Sequence, residues 1–267
     1  MVYSKKKIKI NKNRKSKKFR KNKKFRKNKK CIKSKKNKNN LVKYGGDLKM
    51  GNMELGYALT ATDENPTYLD FIPFHCKIWK YLYGIEPIII LVADKIPDKY
   101  MVYKNCIKLF KPIPGIHTAF QAQCIRILYP SLINTNKGIL LCDMDSFPMN
   151  DLYFANNIRN ISSKKFVYFR QWGLSNNQMA ICYNIATPQV WKKINNIFSL
   201  EDIIAKLKQW YKNIDYAVDE SKSGWWTDQV KLYDLVINWN KISNDLITLK
   251  DNNTKFKRLD KFDIQHF

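Results

Sequence analysis

Asp143 and Asp145 close the run Gly-Ile-Leu-Leu-Cys-Asp-Met-Asp over residues 138–145, which is otherwise apolar. A short apolar run bounded by turn residues reads as a buried strand. In open α/β sheets, ligands collect at the carboxyl ends of such strands. If the strand continues through the pair, residues i and i+2 face one side about 7 Å apart, at a rise of roughly 3.3 Å per residue. Two carboxylates that close repel unless a cation lies between them. A hard divalent cation carrying a phosphate answers that need, because it prefers carboxylate oxygens and bridges to phosphate oxygens. The competing reading is an acid pair exposed in a turn, a position that Asp favours by itself.

The surrounding elements alternate. Leu55 to Thr62 reads as a strand ending in small hydroxyl residues, and helical spacing follows through Phe71, Phe74, Ile78 and Leu82. Ile88 to Val92 is a second, continuously apolar strand, so strand, helix and strand form a parallel unit. After the loop marked by Pro112, Pro114 and Gly115, residues 117–132 read as a helix with Phe120, Cys124, Ile127 and Leu128 on one face; Arg126 interrupts that apolar pattern. The acid-pair strand comes next, followed by strands at Lys165–Phe169 and Met179–Tyr183. Ser199 is positioned to cap a helix through Ile203, Ile204, Leu207 and Trp210. Thr227 is positioned to cap another containing Val230, Tyr233 and Ile237, with Asp228 in its first turn.

Charge divides the chain in two. Of 49 Lys and Arg residues, 21 fall in residues 1–40, which hold no acid; the rest of the chain carries 28 against 22 Asp and Glu. The first 49 residues have too few large apolar side chains to offset their ordering entropy and are expected to be a disordered basic tail that contacts polyanions through charge. Residues 50–267 are expected to form one α/β domain with a core of its own. The sequence has no secretory h-region and no apolar stretch long enough to span a bilayer, which implies a soluble, cytoplasmic protein. Six cysteines without close pairing, several in apolar segments, fit a reducing compartment.

The strand containing Ala58-Leu59-Thr60-Ala61, the helix Ala122 to Pro130, Asp143-Met144-Asp145, Trp226-Thr227-Asp228-Gln229 and the terminal Asp263-Ile264-Gln265-His266 together resemble GT-A-type nucleotide-sugar glycosyltransferases, particularly the compact ones encoded by large DNA viruses. The resemblance runs from about Leu55 to the C-terminus. It implies a Rossmann-like fold with a mostly parallel mixed sheet flanked by helices, and a metal-dependent transfer of sugar from a nucleoside-diphosphate sugar to a hydroxyl of a glycan or protein. It assigns Asp143 to the ribose or metal, and Asp145 and His266 to a metal, Mn2+ or Mg2+. Thr60, Ala61 and Arg126 fall to the donor nucleotide. Asp228 becomes the base that takes the acceptor proton, with inversion favoured over retention, and Trp225 and Trp226 become faces for a sugar ring.

Blander roles stand beside these. Thr60 fits an ordinary polar strand end, Arg126 a structural ion pair, Asp228 a helix-dipole partner, and the two tryptophans the core. His75 and His117 fit local hydrogen bonding. Two other classes also compete. A haloacid dehalogenase-type phosphatase also carries an apolar strand with Asp-x-Asp, but Phe147 stands where that family usually shows Thr or Val, and the motif does not open the domain. A nonenzymatic nucleic-acid-binding protein would explain the tail and not the acid pair.

Overall fold

The computed structural model describes residues 51–148, 152–170, 174–218 and 221–250; His266 and residues 1–49 fall outside them. In chain order the elements are β1 (Leu55–Asp63), α1 (Pro66–Leu69), α2 (Ile72–Lys77) continued by a π-helical turn Ile78–Leu82, β2 (Glu86–Val92), a 3-10 turn Asp98–Tyr103 and β3 (Ile107–Phe110). Then come α3 (Thr118–Leu128), β4 (Gly138–Leu141), α4 (Leu152–Ile158), β5 (Phe166–Tyr168), β6 (Asn184–Ala186), α5 (Pro188–Asn195), α6 (Leu200–Tyr211), α7 (Thr227–Ser243) and β7 (Leu246–Thr248).

The seven strands form one sheet in the order β3-β2-β1-β4-β6-β5-β7. All pairings are parallel except those of β6, which runs against both β4 and β5. The expected mostly parallel mixed sheet flanked by helices is therefore present. Both faces are covered, which explains why β2 is continuously apolar. Ile88, Ile90 and Val92 pack with Phe120, Cys124 and Leu128 of α3, while Ile89 and Leu91 pack with Ile72 and Cys76 of α2 on the opposite face. In β5, Phe166 and Tyr168 likewise face one layer, Val167 and Phe169 the other. Helix α3 packs on β1 and β2 and also meets α6 and α7, so its buried residues extend beyond one stripe to Ala122 and Ile125.

Several elements depart from the sequence reading. The helix expected over 117–132 is α-helical only to Leu128, and Tyr129–Leu132 is a 3-10 turn containing Pro130, which has no amide to continue the ladder. In the segment before β2, Ile72, Cys76 and Trp79 are buried, while Phe74 and Leu82, two of the residues that mark its helical spacing, are exposed. Met179–Tyr183 is not a strand. Its polar backbone is satisfied by side chains: the Ala180 amide donates to the Tyr168 hydroxyl, and Asn184 Nδ2 donates to the carbonyls of Ala180 and Ile181. The strand begins only at Asn184. Ser199 caps α6 as expected, within a full capping box: the Asp202 amide donates to Ser199 Oγ, and the Asp202 carboxylate accepts from the Ser199 amide. Thr227 does not cap α7; it is the first helical residue, and its hydroxyl donates to the Gly224 carbonyl in the preceding 3-10 turn, at 2.7 Å.

Candidate functional site

The chain runs outward from β1 to β2 and β3, then returns through α3 to place β4 on the other side of β1. The order reverses there, and a crevice opens outside the carboxyl ends of β1 and β4, as expected at a topological switch point. A cavity of about 320 Å³ occupies it. Its walls are Ala61, Thr62 and Asp63 from β1, Tyr68 from α1, Gln123 and Arg126 from α3, Asp143 to Asp145 beyond β4, and Trp225, Trp226, Asp228 and Gln229 at the start of α7. Gly224 lets that last wall close, because a Cβ there would lie 2.5 Å from the Asp215 carbonyl oxygen.

One guanidinium ties three walls together. Arg126 donates from Nη1 to the Asp143 carboxylate and from Nη2 to Asp228 Oδ2 at 2.8 Å. Burial opposes its charge, but the two carboxylates outweigh that and hold it firmly protonated. Asp228 is 2 % exposed, and its other oxygen accepts from the Gln229 amide at 2.8 Å. Burial pushes the Asp228 carboxyl up from its ordinary value more strongly than Arg126 draws it down. Beneath Asp143 lies Cys182, whose thiol is pushed up by burial and by that carboxylate, to which it hydrogen-bonds. The irregular 179–183 segment thus supports the site from below.

Asp145 differs from Asp143. It is exposed, lines the cavity, and forms no hydrogen bond or ion pair among the described residues. The two acids do not share a strand face: β4 stops at Leu141, and Met144 and Asp145 form a turn. The expected i, i+2 geometry fails because buried Met144 anchors into the α2 side of the core and turns the chain.

Ala61, Arg126, Asp143, Asp145, Trp225, Trp226 and Asp228 meet around this one cavity. Thr60 does not. It lies deeper in β1, on the face it shares with Thr62, which does line the cavity; Thr60 is fully buried, and its Oγ1 has no partner among the described residues. Arg126 forms the ion pairs that its blander reading anticipated. His117 Nδ1 accepts from the Ala119 amide at the start of α3; His75 is buried, and desolvation presses its pKa down to about 3, so it stays neutral.

Sequence reasoning missed Asp63, Tyr68 and Gln123. Asp63 accepts from the Asn65 amide and, at 2.8 Å, from the Thr118 hydroxyl, which fastens the end of β1 to the start of α3. The signal was the one used for Asp143, an acid ending an apolar strand. Gln123 lies one turn before Arg126 and accepts from the Tyr216 hydroxyl. Tyr68 lies on a single-turn helix that no periodicity reveals; burial and then Asp145 raise its hydroxyl pKa.

No protein-family model matches the sequence, and no curated protein sequence matches it. Among solved structures, the glycosyltransferase GlyE of Streptococcus pneumoniae TIGR4 is similar at 16% identity and a TM-score of 0.44, over 74% of this chain and 46% of GlyE. The chain thus spans about half the length of that protein. The galactosyltransferase LgtC, solved with donor and acceptor sugar analogues, is similar at 9% identity and a TM-score of 0.40, over 73% of each chain.

Among the described residues no group of three or more His, Cys, Asp or Glu side chains could hold a metal ion. Magnesium-like sites need no such cage, since one or two carboxylates and the phosphates of a substrate suffice. The unpaired carboxylate of Asp145, beside Asp143 in a cavity, fits that mode. Among the same residues no helix is long and apolar enough to cross a membrane.

Proposed function

We propose that this chain is a glycosyltransferase that moves a sugar from a nucleoside-diphosphate sugar to a hydroxyl of a glycan or protein acceptor, using Mn2+ or Mg2+. The observation that carries this reading is the meeting of Asp143 and Asp145 with Trp225, Trp226 and Asp228 around one cavity at the switch point of the sheet. Asp145 and the free lone pairs of Asp143 would hold the ion, which when bound supplies positive charge for the departing diphosphate. Ala61 would line the nucleotide pocket at the end of β1, and the tryptophans would take the apolar face of a sugar. Arg126, held by two carboxylates, would keep the acid turn in place and add charge beside the phosphates.

In the inverting form of this reaction, the acceptor oxygen bonds to the anomeric carbon as the bond to the diphosphate breaks, and Asp228 takes the hydroxyl proton. A carboxyl pushed up by burial suits that task. Its ion pair with Arg126 favours a second reading, in which Asp228 is a positioning residue that fixes the guanidinium. The phosphatase alternative is less well supported, because the acid pair follows the fourth strand of the domain and does not open it. Incubating the protein with a panel of nucleotide sugars tests the main reading. It predicts slow hydrolysis of at least one donor with Mn2+ or Mg2+ and none in excess chelator; metal-independent hydrolysis, or none across the panel, would contradict it.

A further inference from the structure

The segment Ile72–Leu82 is apolar on two faces. Ile72, Cys76 and Trp79 turn into the core, as a helix beside a sheet requires. On the outer side, where a surface helix ordinarily shows polar residues, stand Phe74, Ile78, Tyr81 and Leu82 at helical spacing. Phe74 is 59%, Tyr81 78% and Leu82 68% exposed. Lys77 and Lys80 are interleaved with them, both exposed, and Lys80 Nζ pairs with the Glu86 carboxylate at 3.0 Å. The 3-10 turn Asp98–Tyr103 packs against α2 and exposes Met101 and Val102. This ridge reaches the mouth of the cavity: the Phe74 and Phe71 rings lie 6.4 Å and 5.7 Å from that of Phe147, and the Tyr83 hydroxyl donates to the Pro148 carbonyl at 2.9 Å. Phe147 is two residues beyond Asp145.

We propose that this ridge is a membrane-surface contact, which sets Phe74, Tyr81 and Leu82 into the boundary between headgroups and acyl chains of an anionic bilayer. Exposed apolar side chains gathered on one surface mark an interaction site, and aromatic and leucine side chains interleaved with lysine suit a lipid interface. Charge selects the occupant. The chain carries a formal +27, with 21 basic and no acidic residues among its first 40. A second copy would bring the same charge and be repelled. A nucleic acid would meet the charge but offers no apolar phase to receive Phe74 and Leu82. An anionic lipid surface satisfies both, through the paired apolar and polybasic signals that stable peripheral anchoring needs. The proposal does not depend on the reaction proposed above.

The test is co-sedimentation of the full chain with phosphatidylcholine vesicles and with vesicles containing phosphatidylserine, at low salt and at roughly 0.5 M salt, where charge attraction between exposed groups is largely screened. The wild type is expected to bind the anionic vesicles and to retain part of that binding at high salt. The double variant Phe74→Ser/Leu82→Ser should bind at low salt through its basic residues but lose retained binding at least fivefold at high salt, with unchanged thermal melting. If the double variant melts early, Tyr81→Ser alone replaces it. Equal retention by variant and wild type would overturn the proposal, as would complete release of the wild type by salt, or capture by RNA and not by vesicles. A wild-type dimer that the double variant dissociates would assign the ridge to a second copy and overturn it as well.

Discussion

Asp228 and Arg126 show how far single residues speak for themselves. An arginine among apolar neighbours and an acid in a helical first turn are each visible in sequence, but nothing in their spacing of 102 residues says that they touch. In the fold, Arg126 lies between Asp143 and Asp228 and leaves neither acid unpaired. Asp145 was legible as a candidate and forms no hydrogen bond or ion pair among the described residues, whereas Thr60 is fully buried and does not line the cavity, because it sits deeper in β1 than Ala61 and Thr62, which do. The two readings of Asp228 separate at this scale. If it is the acceptor base, Asp228→Asn keeps metal-dependent donor affinity and loses transfer by about two to four orders of magnitude. If it only positions Arg126, donor affinity falls along with transfer. Measuring both on one variant distinguishes them, and near-normal transfer with normal affinity would exclude both.

Elements with strong local signals were legible, and those defined by partners were not. β1, β2, β4, α3 and α6 follow from apolar runs, periodicity and caps. β3 and β7 are short outer strands of four and three residues, and β6 begins only after Asn184 has satisfied the carbonyls before it. The spacing of Phe74 and Leu82 marked a helix without saying that this face is exposed, since spacing reports a face and not which way it points. The α6 capping box yields a prediction with a defined sign. The Phe198 and Ser199 amides hold the Asp202 carboxyl below its ordinary 3.8. Its contribution is therefore fully present above that ordinary value and lost as pH falls through the depressed one. Asp202→Ala should melt earlier than wild type at neutral pH, and the gap should close below about pH 4. Ser199→Ala should cost about 1 kcal/mol. A pH-independent gap for Asp202→Ala would show that the carboxylate does not cap.

At the scale of the molecule, alternating strand and helix signals announced a largely parallel sheet, and with it a ligand crevice at the ends of β1 and β4. The reversal of β6 was not announced, and the return of α7 to wall that crevice was carried only by the resemblance, because both depend on contacts between distant parts of the chain. The central claim is that Asp145, in that crevice, binds a nucleoside diphosphate through a divalent ion. Thermal unfolding with a panel of nucleoside diphosphates tests it most directly. With Mn2+ or Mg2+ and ligand at about a hundredfold its dissociation constant, one of them should stabilise the protein by about 2.7 kcal/mol, roughly 5–10 °C for a domain of this size. The shift should vanish in excess chelator and in Asp145→Asn. An equal shift in chelator, or an unchanged shift in Asp145→Asn, would contradict the account.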